Sequence, residues 1–208
     1  MNDIKNKEPK NRILEAAAGL ISQKGYSAVG VREIATRADV NVSMISYYFG
    51  GKIGILKAII EEYFLNLKEV IEDIATRKLS TEENTRVFIH SVVDLIRSKP
   101  DLCKVAIIEM PYDVPEVREF KVEMLRQHIS FIKENFHSIP MKLAPQDKYR
   151  HTIVGPVLIS MIYSHFLFGN FALEANGIST GEDFYSNYSE VIATIFISGV
   201  KGLGHKNI

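Results

Sequence analysis

The sequence predicts an all-α protein in which a small N-terminal domain precedes a larger helical bundle. Apolar residues recur at the 3.6-residue spacing of amphipathic helices, and strand-like alternation is nearly absent. Helix breaks are close together at the N-terminus, up to the pair Gly50-Gly51, and far apart afterwards. These observations predict one domain over residues 1–52 and a second over residues 53–208.

Three short helices are predicted in the first domain. The first runs from about Lys10 to Lys24, because Pro9 precedes it and Gly25 follows it. Two shorter helices are expected near Val31–Ala38 and Val42–Tyr48. Their spacing indicates a compact three-helix module.

The second domain is predicted to contain longer helices. One begins near Lys52 and ends near Ile74–Lys78, with one face apolar for several turns. Proline breaks and a Thr81–Asn84 start signal then delimit five more. These are expected near Ser80–Ser98, Pro100–Glu109, Val114–His137, Gln146–Ala175 and Glu182–Leu203. This length and connectivity are typical of a helical bundle.

Charge is distributed unevenly along a chain whose formal net charge is zero. Residues 1–60 hold nine Lys and Arg against five Asp and Glu, so the head is positive and the remainder negative. Such a protein suits a polyanion at one end. The single cysteine, Cys103, excludes an internal disulfide and fits a reducing cytoplasm. We interpret Cys103 as a small, partly buried apolar residue.

Neither a secretory signal nor a membrane span is expected. Residues 1–12 are polar and charged, without the apolar region of a signal peptide. The stretch Thr152–Leu173 is long enough to cross a bilayer but contains Pro156, His165 and Asn170. A helix buried on two sides explains it better.

The stretch Arg32–Lys52 reads REIATRADVNVSMISYYFGGK and has the spacing of a helix-turn-helix. Ala35 is small where a second helix would cross closely, and Val40 and Ile45 can fill the wedge between the two helices. The second helix then exposes small and medium side chains suited to a DNA major groove. An ordinary helical hairpin is the alternative.

The same region resembles the tetracycline-repressor (TetR) family over about 45 residues. The motifs that carry the resemblance are Arg12-Ile13-Leu14-Glu15-Ala16-Ala17, Gly25-Tyr26, Val31-Arg32-Glu33-Ile34-Ala35, Ala38-Asp39-Val40 and Tyr48-Phe49-Gly50-Gly51-Lys52. The resemblance implies a DNA-binding head, a helical body that binds a ligand and dimerises, and repression relieved by an effector. By position, Arg32 would touch DNA from the second helix. On the recognition helix, base edges or sugars would be met by Val42, Ser43 and Met44, and the backbone or nearby bases by Ser46, Tyr47, Tyr48 and Lys52.

Several positions depart from the family pattern. Asp39 replaces the common turn glycine, and we expect it to adopt the left-handed conformation that Asp tolerates. Gly30 stands where a threonine usually caps the second helix. Ser46 and Tyr48 stand where Tyr and His are common, and Ile53 replaces an acidic residue. The operator sequence therefore cannot be borrowed from a relative.

The body is rich in aromatic and polarisable residues between positions 100 and 175. A pocket for a small, largely apolar effector could be lined by Met110, Phe120, Met124, His128, Met161, His165 and Phe166. The alternative is that these residues only fill the core. His151 and His165 share a helix face but lie about 21 Å apart, so they cannot bind one metal. Neither a metal nor a cofactor is expected.

The last two long helices are the predicted homodimer surface. An apolar stripe on the final helix comprises Tyr188, Ile192, Ile195, Phe196, Gly199 and Leu203. The alternative is that this stripe is internal. Gly155-Pro156 should bend or interrupt the preceding helix.

An enzyme and an architectural DNA-binding protein are the two alternative functional classes. The sequence has no HExxH, phosphate loop, CxxC or serine elbow, which argues against an enzyme. An architectural DNA-binding protein would not need a body of about 150 residues. The favoured reading is a regulator, most simply a repressor, that binds a palindromic operator as a dimer and is released by its effector.

Overall fold

The computed structural model of the protein describes residues 8–135, 148–168 and 171–203. Every regular element in those residues is a helix, which confirms the predicted all-α fold class. The helices are α1 (Pro9–Lys24), α2 (Val31–Ala38), α3 (Val42–Phe49), α4 (Lys52–Thr76), α5 (Thr81–Ser98), α6 (Pro100–Ile107), α7 (Pro115–Asn135), α8 (Lys148–Phe168), α9 (Phe171–Ala175) and α10 (Glu182–Leu203).

The helix predicted over Gln146–Ala175 differs most from the structure. It is described as two helices, α8 and α9, and residues 169–170 between them lie outside the described residues. Pro156 lies within α8, and the helix continues past it to Phe168. Of the two expected effects of Gly155-Pro156, the interruption is therefore wrong, and the bend stays a prediction.

Contacts group the chain into two compact units. The first unit comprises Met1–Glu69 and Leu95–Ile132, and the second comprises Val70–Asp94 and Lys133–Ile208. Helices α4 and α5 each contribute residues to both units. A functional domain boundary after Lys52 stays a prediction.

In the first unit, α1 packs against α2, α3 and α6. Its apolar stripe is buried, with Ile13, Ala17 and Ile21 fully inaccessible to solvent. Two polar contacts join α1 to α6: Ser22 Oγ donates to Asp101 Oδ1 at 2.6 Å, and Lys104 Nζ donates to the Ser22 carbonyl at 2.6 Å. The three-helix head thus shares its core and hydrogen bonds with α6.

Three glycines build the junction between α3 and α4. Gly50 caps α3 at φ 70°, and Gly51 follows at φ 128°, conformations that side chains with a Cβ rarely adopt. At Gly54, in the first turn of α4, an added Cβ would lie 1.6 Å from the Phe49 carbonyl oxygen. The backbones of α3 and α4 therefore approach each other at a distance that only glycine permits.

In the second unit, α8 packs against α10. Val154, Leu158 and Ile162 are buried on α8, and Ala193 and Ile197 on α10. The hydroxyl of Tyr188 on α10 lies 2.9 Å from the Met161 carbonyl and 2.8 Å from the Ile162 carbonyl, and accepts from the His165 N–H at 3.1 Å. One tyrosine hydroxyl therefore joins α10 to three backbone groups of α8.

Candidate nucleic-acid interface

The helix-turn-helix is formed by α2, a tight turn and α3. Ile34, Ala35 and Ile45 are buried between the helices, as expected for a close crossing. Asp39 sits in the turn at φ 53° and ψ 53°, and the Val40 N–H donates to the Ala35 carbonyl at 3.0 Å. The expectation of a left-handed Asp39 is confirmed.

One face of α3 is turned to solvent. Val42, Ser43, Ser46 and Tyr47 are exposed, with Tyr47 82% accessible. Met44 and Tyr48 are half-buried, and the Tyr48 ring meets the Tyr47 ring edge-on at 5.0 Å. The structure thus brings the predicted α3 residues together on and beside one exposed surface, which we call the α3 face (Val42, Ser43, Ser46 and Tyr47).

Asn41 is a residue of the candidate site that was not predicted from the sequence. It caps α3, and its Oδ1 accepts from the Ser43 N–H at 2.9 Å and from the Ser43 hydroxyl at 2.8 Å. The signal was an Asn immediately before the recognition helix, which is among the preferred N-cap residues. By contrast, the N-cap residue of α2 is Gly30, which provides no side-chain hydrogen bond to the first turn of that helix.

Positive charge is available on α2. Arg32 and Arg37 are exposed, and no ion pair of either guanidinium occurs within the described part of the chain. Other head cations are paired: Lys24 Nζ lies 2.5 Å from Glu33, and Arg12 lies 3.8 Å from Asp39. Arg37 was not among the predicted contacts, although its charge was visible in the sequence.

Lys52 occupies a half-buried position at the start of α4. Its Nζ donates to the Tyr26 carbonyl and lies 4.0 Å from the centre of the Tyr26 ring. Burial lowers the pKa of Lys52 from its ordinary value. The ammonium has three N–H donors, and the Tyr26 carbonyl takes one of them. The predicted contact of Lys52 with a DNA phosphate stays a prediction.

Four of the predicted ligand residues lie in the first unit. Met110 is 4% exposed and belongs to the core, while Phe120, Met124 and His128 on α7 are half-buried. The His128 ring packs on Phe64 of α4 at 5.3 Å, and burial lowers the pKa of His128 to about 4. On the same helix, Lys121 Nζ donates to the Ala106 carbonyl at 2.7 Å, and burial lowers its pKa to about 8.

The other three predicted ligand residues lie in the second unit. His165 is surrounded by rings, with Phe184 at 4.8 Å and Tyr188 at 5.6 Å, and burial lowers its pKa. Phe166 stacks on Tyr185 at 6.1 Å. Met161 instead lines an open groove. A pocket shared by all seven candidates stays a prediction.

The open groove, which we call the α8–α10 groove, has a volume of about 750 Å³. Its exposed apolar residues are Ile153, Val157, Val191 and Ile195. The predicted dimer stripe is therefore divided: Ile195 is exposed, while Ile192 and Phe196 are each 5% exposed and pack inside the unit. The side chains of His151 and Leu203 lie outside the described residues.

Two kinds of feature are absent from the residues that the structure covers. No helix there combines the length and apolarity needed to cross a bilayer. No cluster of three or more His, Cys, Asp or Glu side chains there is arranged to hold a metal ion.

Comparison with known proteins identifies the head. Residues 13–59 match the family model described as bacterial regulatory proteins, tetR family. The probable HTH-type transcriptional regulator YttP of Bacillus subtilis is 39% identical over 87 residues, which is 42% of this chain and 42% of that protein. The chain thus matches less than half the length of this curated relative.

Two solved structures extend the likeness over the body. FadR from Bacillus subtilis, solved with stearoyl-CoA, gives a TM-score of 0.65 at 20% identity and covers 90% of this chain and 97% of its own. AibR, solved with isovaleryl coenzyme A and operator DNA, gives 0.68 at 17% identity and covers 91% and 99%. At these identities the likeness shows the fold alone. Residues 13–59 therefore match the TetR family of bacterial regulatory proteins, and the rest of the chain shares the fold of these solved regulators.

Proposed function

We propose that the protein is a transcriptional repressor that binds a two-fold symmetric operator as a homodimer and is released by an acyl-coenzyme A. The observation that carries the DNA half is the α3 face. It presents hydroxyls and an aromatic ring from a short helix that can enter a major groove, and α2 adds the exposed guanidinium of Arg32. Such a surface combines base contacts with phosphate contacts.

Selection of binding sites from random DNA tests the DNA half. The full chain should enrich an inverted repeat whose half-sites lie one helical turn or a multiple of it apart. Ser43→Ala and Met44→Ala should change the selected sequence, whereas Arg32→Ala should weaken all sites together. Enrichment of no sequence would contradict the proposal.

The dimer half rests on the α8–α10 groove. Four β-branched aliphatic side chains are exposed there, each between 46% and 58% accessible. Apolar surface of this kind favours burial by a partner, and a second copy is the simplest partner because most soluble oligomers are symmetric homo-oligomers. Light scattering should give a dimer at micromolar concentration. A monomer that still binds its operator tightly would contradict the proposal.

The effector class is supported by the two neighbours solved with acyl-coenzyme A ligands and by the predicted apolar residues of the body. An acyl chain is largely apolar, so it suits side chains such as Phe120 and Met124. Regulation follows if the ligand and DNA favour different states of the body. The coupling must then be reciprocal, and typical couplings change affinity about 5- to 150-fold.

Operator titration with stearoyl-CoA, isovaleryl-CoA and free coenzyme A tests this class. The expected result is weaker operator binding with at least one acyl-CoA and no change with free coenzyme A. Met124→Trp should lower acyl-CoA affinity while the ligand-free protein keeps its operator affinity, and Phe166→Ala tests the second-unit candidate in the same way. Identical operator affinity at saturating ligand would show binding without signalling.

A further inference from the structure

The hydrogen bonds around Asn41 determine where the Ser43 hydroxyl proton lies. Asn41 Oδ1 accepts the backbone N–H of Ser43 at 2.9 Å. Since a backbone N–H can only donate, the side-chain atom facing it must be the amide oxygen and not the amide nitrogen. The Ser43 hydroxyl, 2.8 Å from the same oxygen, must then donate to it as well. Its single proton is committed.

The consequence is a pair of groups with opposite hydrogen-bonding character. Ser43 Oγ keeps only lone pairs for an external partner, so it acts as an acceptor. The Asn41 amide nitrogen carries two donors and has no hydrogen-bond partner among residues 8–135, 148–168 and 171–203. Both residues are exposed at the first turn of α3. The protein therefore offers one acceptor beside one donor.

Only one base carries the complementary pair on its own major-groove edge. Adenine presents the N6 amino donor beside the N7 acceptor. Guanine presents two acceptors, thymine one acceptor and a methyl group, and cytosine one donor alone. A Ser43 oxygen without a free proton would face the guanine O6 with no hydrogen bond. The match between protein and base edge is thus specific to adenine.

We propose that Asn41 and Ser43 together read one adenine in each half-site, with Ser43 Oγ accepting from N6 and the Asn41 amide donating to N7. This inference rests on the proposed function, and an independent observation supports the setting: both residues fall within the stretch that matches the family model of DNA-binding regulators. Asn41 is then a specificity-determining residue as well as a helix cap.

The experiment begins with the full chain and its selected operator. Parallel selections with the wild type and Ser43→Ala identify the base pair whose preference depends on Ser43, and the wild type should show adenine there. At that position, replacing adenine by purine removes the N6 amino group, and 7-deazaadenine removes the N7 acceptor. Each should weaken wild-type binding roughly 3- to 10-fold, as expected for one hydrogen bond.

Two variants separate the two contacts. Ser43→Ala should bind the adenine and purine operators equally. Asn41→Asp keeps a capping oxygen but loses the amide donors, so it should lose the wild-type preference for adenine over 7-deazaadenine. Its added charge weakens both operators, and the carboxylate is repelled more by the adenine N7 lone pair than by the C7–H of 7-deazaadenine, so any remaining difference should favour 7-deazaadenine. Thr36→Ala, which removes an exposed hydroxyl of α2 outside the α3 face, should retain both wild-type ratios. Thermal melting verifies that all three variants fold.

The possible outcomes distinguish a failure of the adenine contact from a failure of the proposed function. A wild-type protein that selects no sequence would overturn the proposed function and the inference together. A well-defined operator with guanine, cytosine or thymine at the Ser43-dependent position, or with no such position, would overturn the inference alone. The same holds if wild-type binding is insensitive to both base analogues.

Discussion

The α3 face and the α8–α10 groove are both exposed, yet they are chemically opposite. The α3 face carries two serines, a tyrosine and one aliphatic residue, with a capping amide beside it. The groove surface carries four β-branched aliphatic side chains. Val42 on the first surface and Val157 on the second have nearly the same accessibility, 43% and 46%.

Exposure alone therefore does not reveal what a surface binds. Hydrogen-bonding groups on the α3 face stay solvated until a partner with matching groups replaces water, so they confer specificity more than affinity. Covering the apolar groups of the groove with any partner that excludes water is favourable, by about 25 cal/mol per Å² of apolar surface buried. The first surface suits a partner that must be discriminated, and the second suits a partner that is always the same.

The largest expected effect comes from disrupting the support of the α3 face. Gly54→Ala places a Cβ 1.6 Å from the Phe49 carbonyl oxygen, and backbone cannot yield as a side chain can. We expect a loss of more than about 4 kcal/mol in the free energy of unfolding, measured by urea denaturation. Gly202→Ala in α10 is the control, since nothing lies within 4 Å of its added Cβ. Equal stability of the two variants would contradict the description of this junction.

The next effect should fall on the groove. Ile195→Lys places a charge on both copies of a proposed apolar interface and should weaken dimerisation by about 2–4 kcal/mol. Sedimentation equilibrium measures the change. Leu65→Lys provides the control, because Leu65 is similarly exposed but lies in the first unit. If both variants dimerise like the wild type, the groove is not the interface.

A smaller effect should come from the interior of the first unit, away from both surfaces. His128 has a pKa of about 4 in the folded chain, below its ordinary value of 6.5, because burial disfavours the charged ring. As the pH falls from 6.5 towards 4, the unfolded chain takes up the proton first, so stability falls across this window, by about 1–3 kcal/mol.

Urea denaturation at several pH values measures this effect. The His128→Phe variant, which keeps a ring against Phe64, should lose less stability than the wild type between pH 6.5 and 4. Parallel curves for the two proteins would contradict the assignment.

The smallest effect is expected at the edge of the α3 face. Lys52→Ala should weaken binding to all DNA sequences several-fold and reduce the salt slope by about one phosphate contact. Because Lys52 also contacts Tyr26, part of the loss could be structural. Lys52→Met, which keeps much of the stem over the ring, separates the two causes. A change in sequence preference would show that Lys52 reads bases.

The head could be predicted from sequence almost to the residue because local chemistry defines it. Pro9 and Gly25 delimit α1, and the glycines after Phe49 end α3. Asp39 adopted its expected conformation because one residue type and one turn geometry decide it. The two hydrogen bonds that Ser43 donates to Asn41 Oδ1 were not predicted, since they depend on a rotamer that the sequence does not specify.

The body was predicted less well because it has many apolar residues and few capping or turn residues that decide which of them are buried. The density of aromatic and polarisable residues suggested Met110 as a pocket residue, which stays a prediction for a side chain that is buried. Periodicity placed Ile192, Ile195 and Phe196 on one stripe. In the structure Ile195 faces solvent while the other two face inward. Residues three and four apart share a helix face only within about 40–60°, and the packing of the neighbouring helix decides which side of that face is covered.

Tyr47 also gives this protein an optical property. The chain has nine tyrosines and no tryptophan, so its intrinsic ultraviolet emission comes from tyrosine alone. Tyr47 is 82% exposed in the middle of the α3 face, with Tyr48 edge-on beside it at 5.0 Å. A stacked base or a phosphate acceptor at that ring would quench its emission, so unlabelled protein should report operator binding by itself. The Tyr47→Phe variant should remove that signal, which makes the fluorescence change a direct measure of how closely DNA approaches this one side chain.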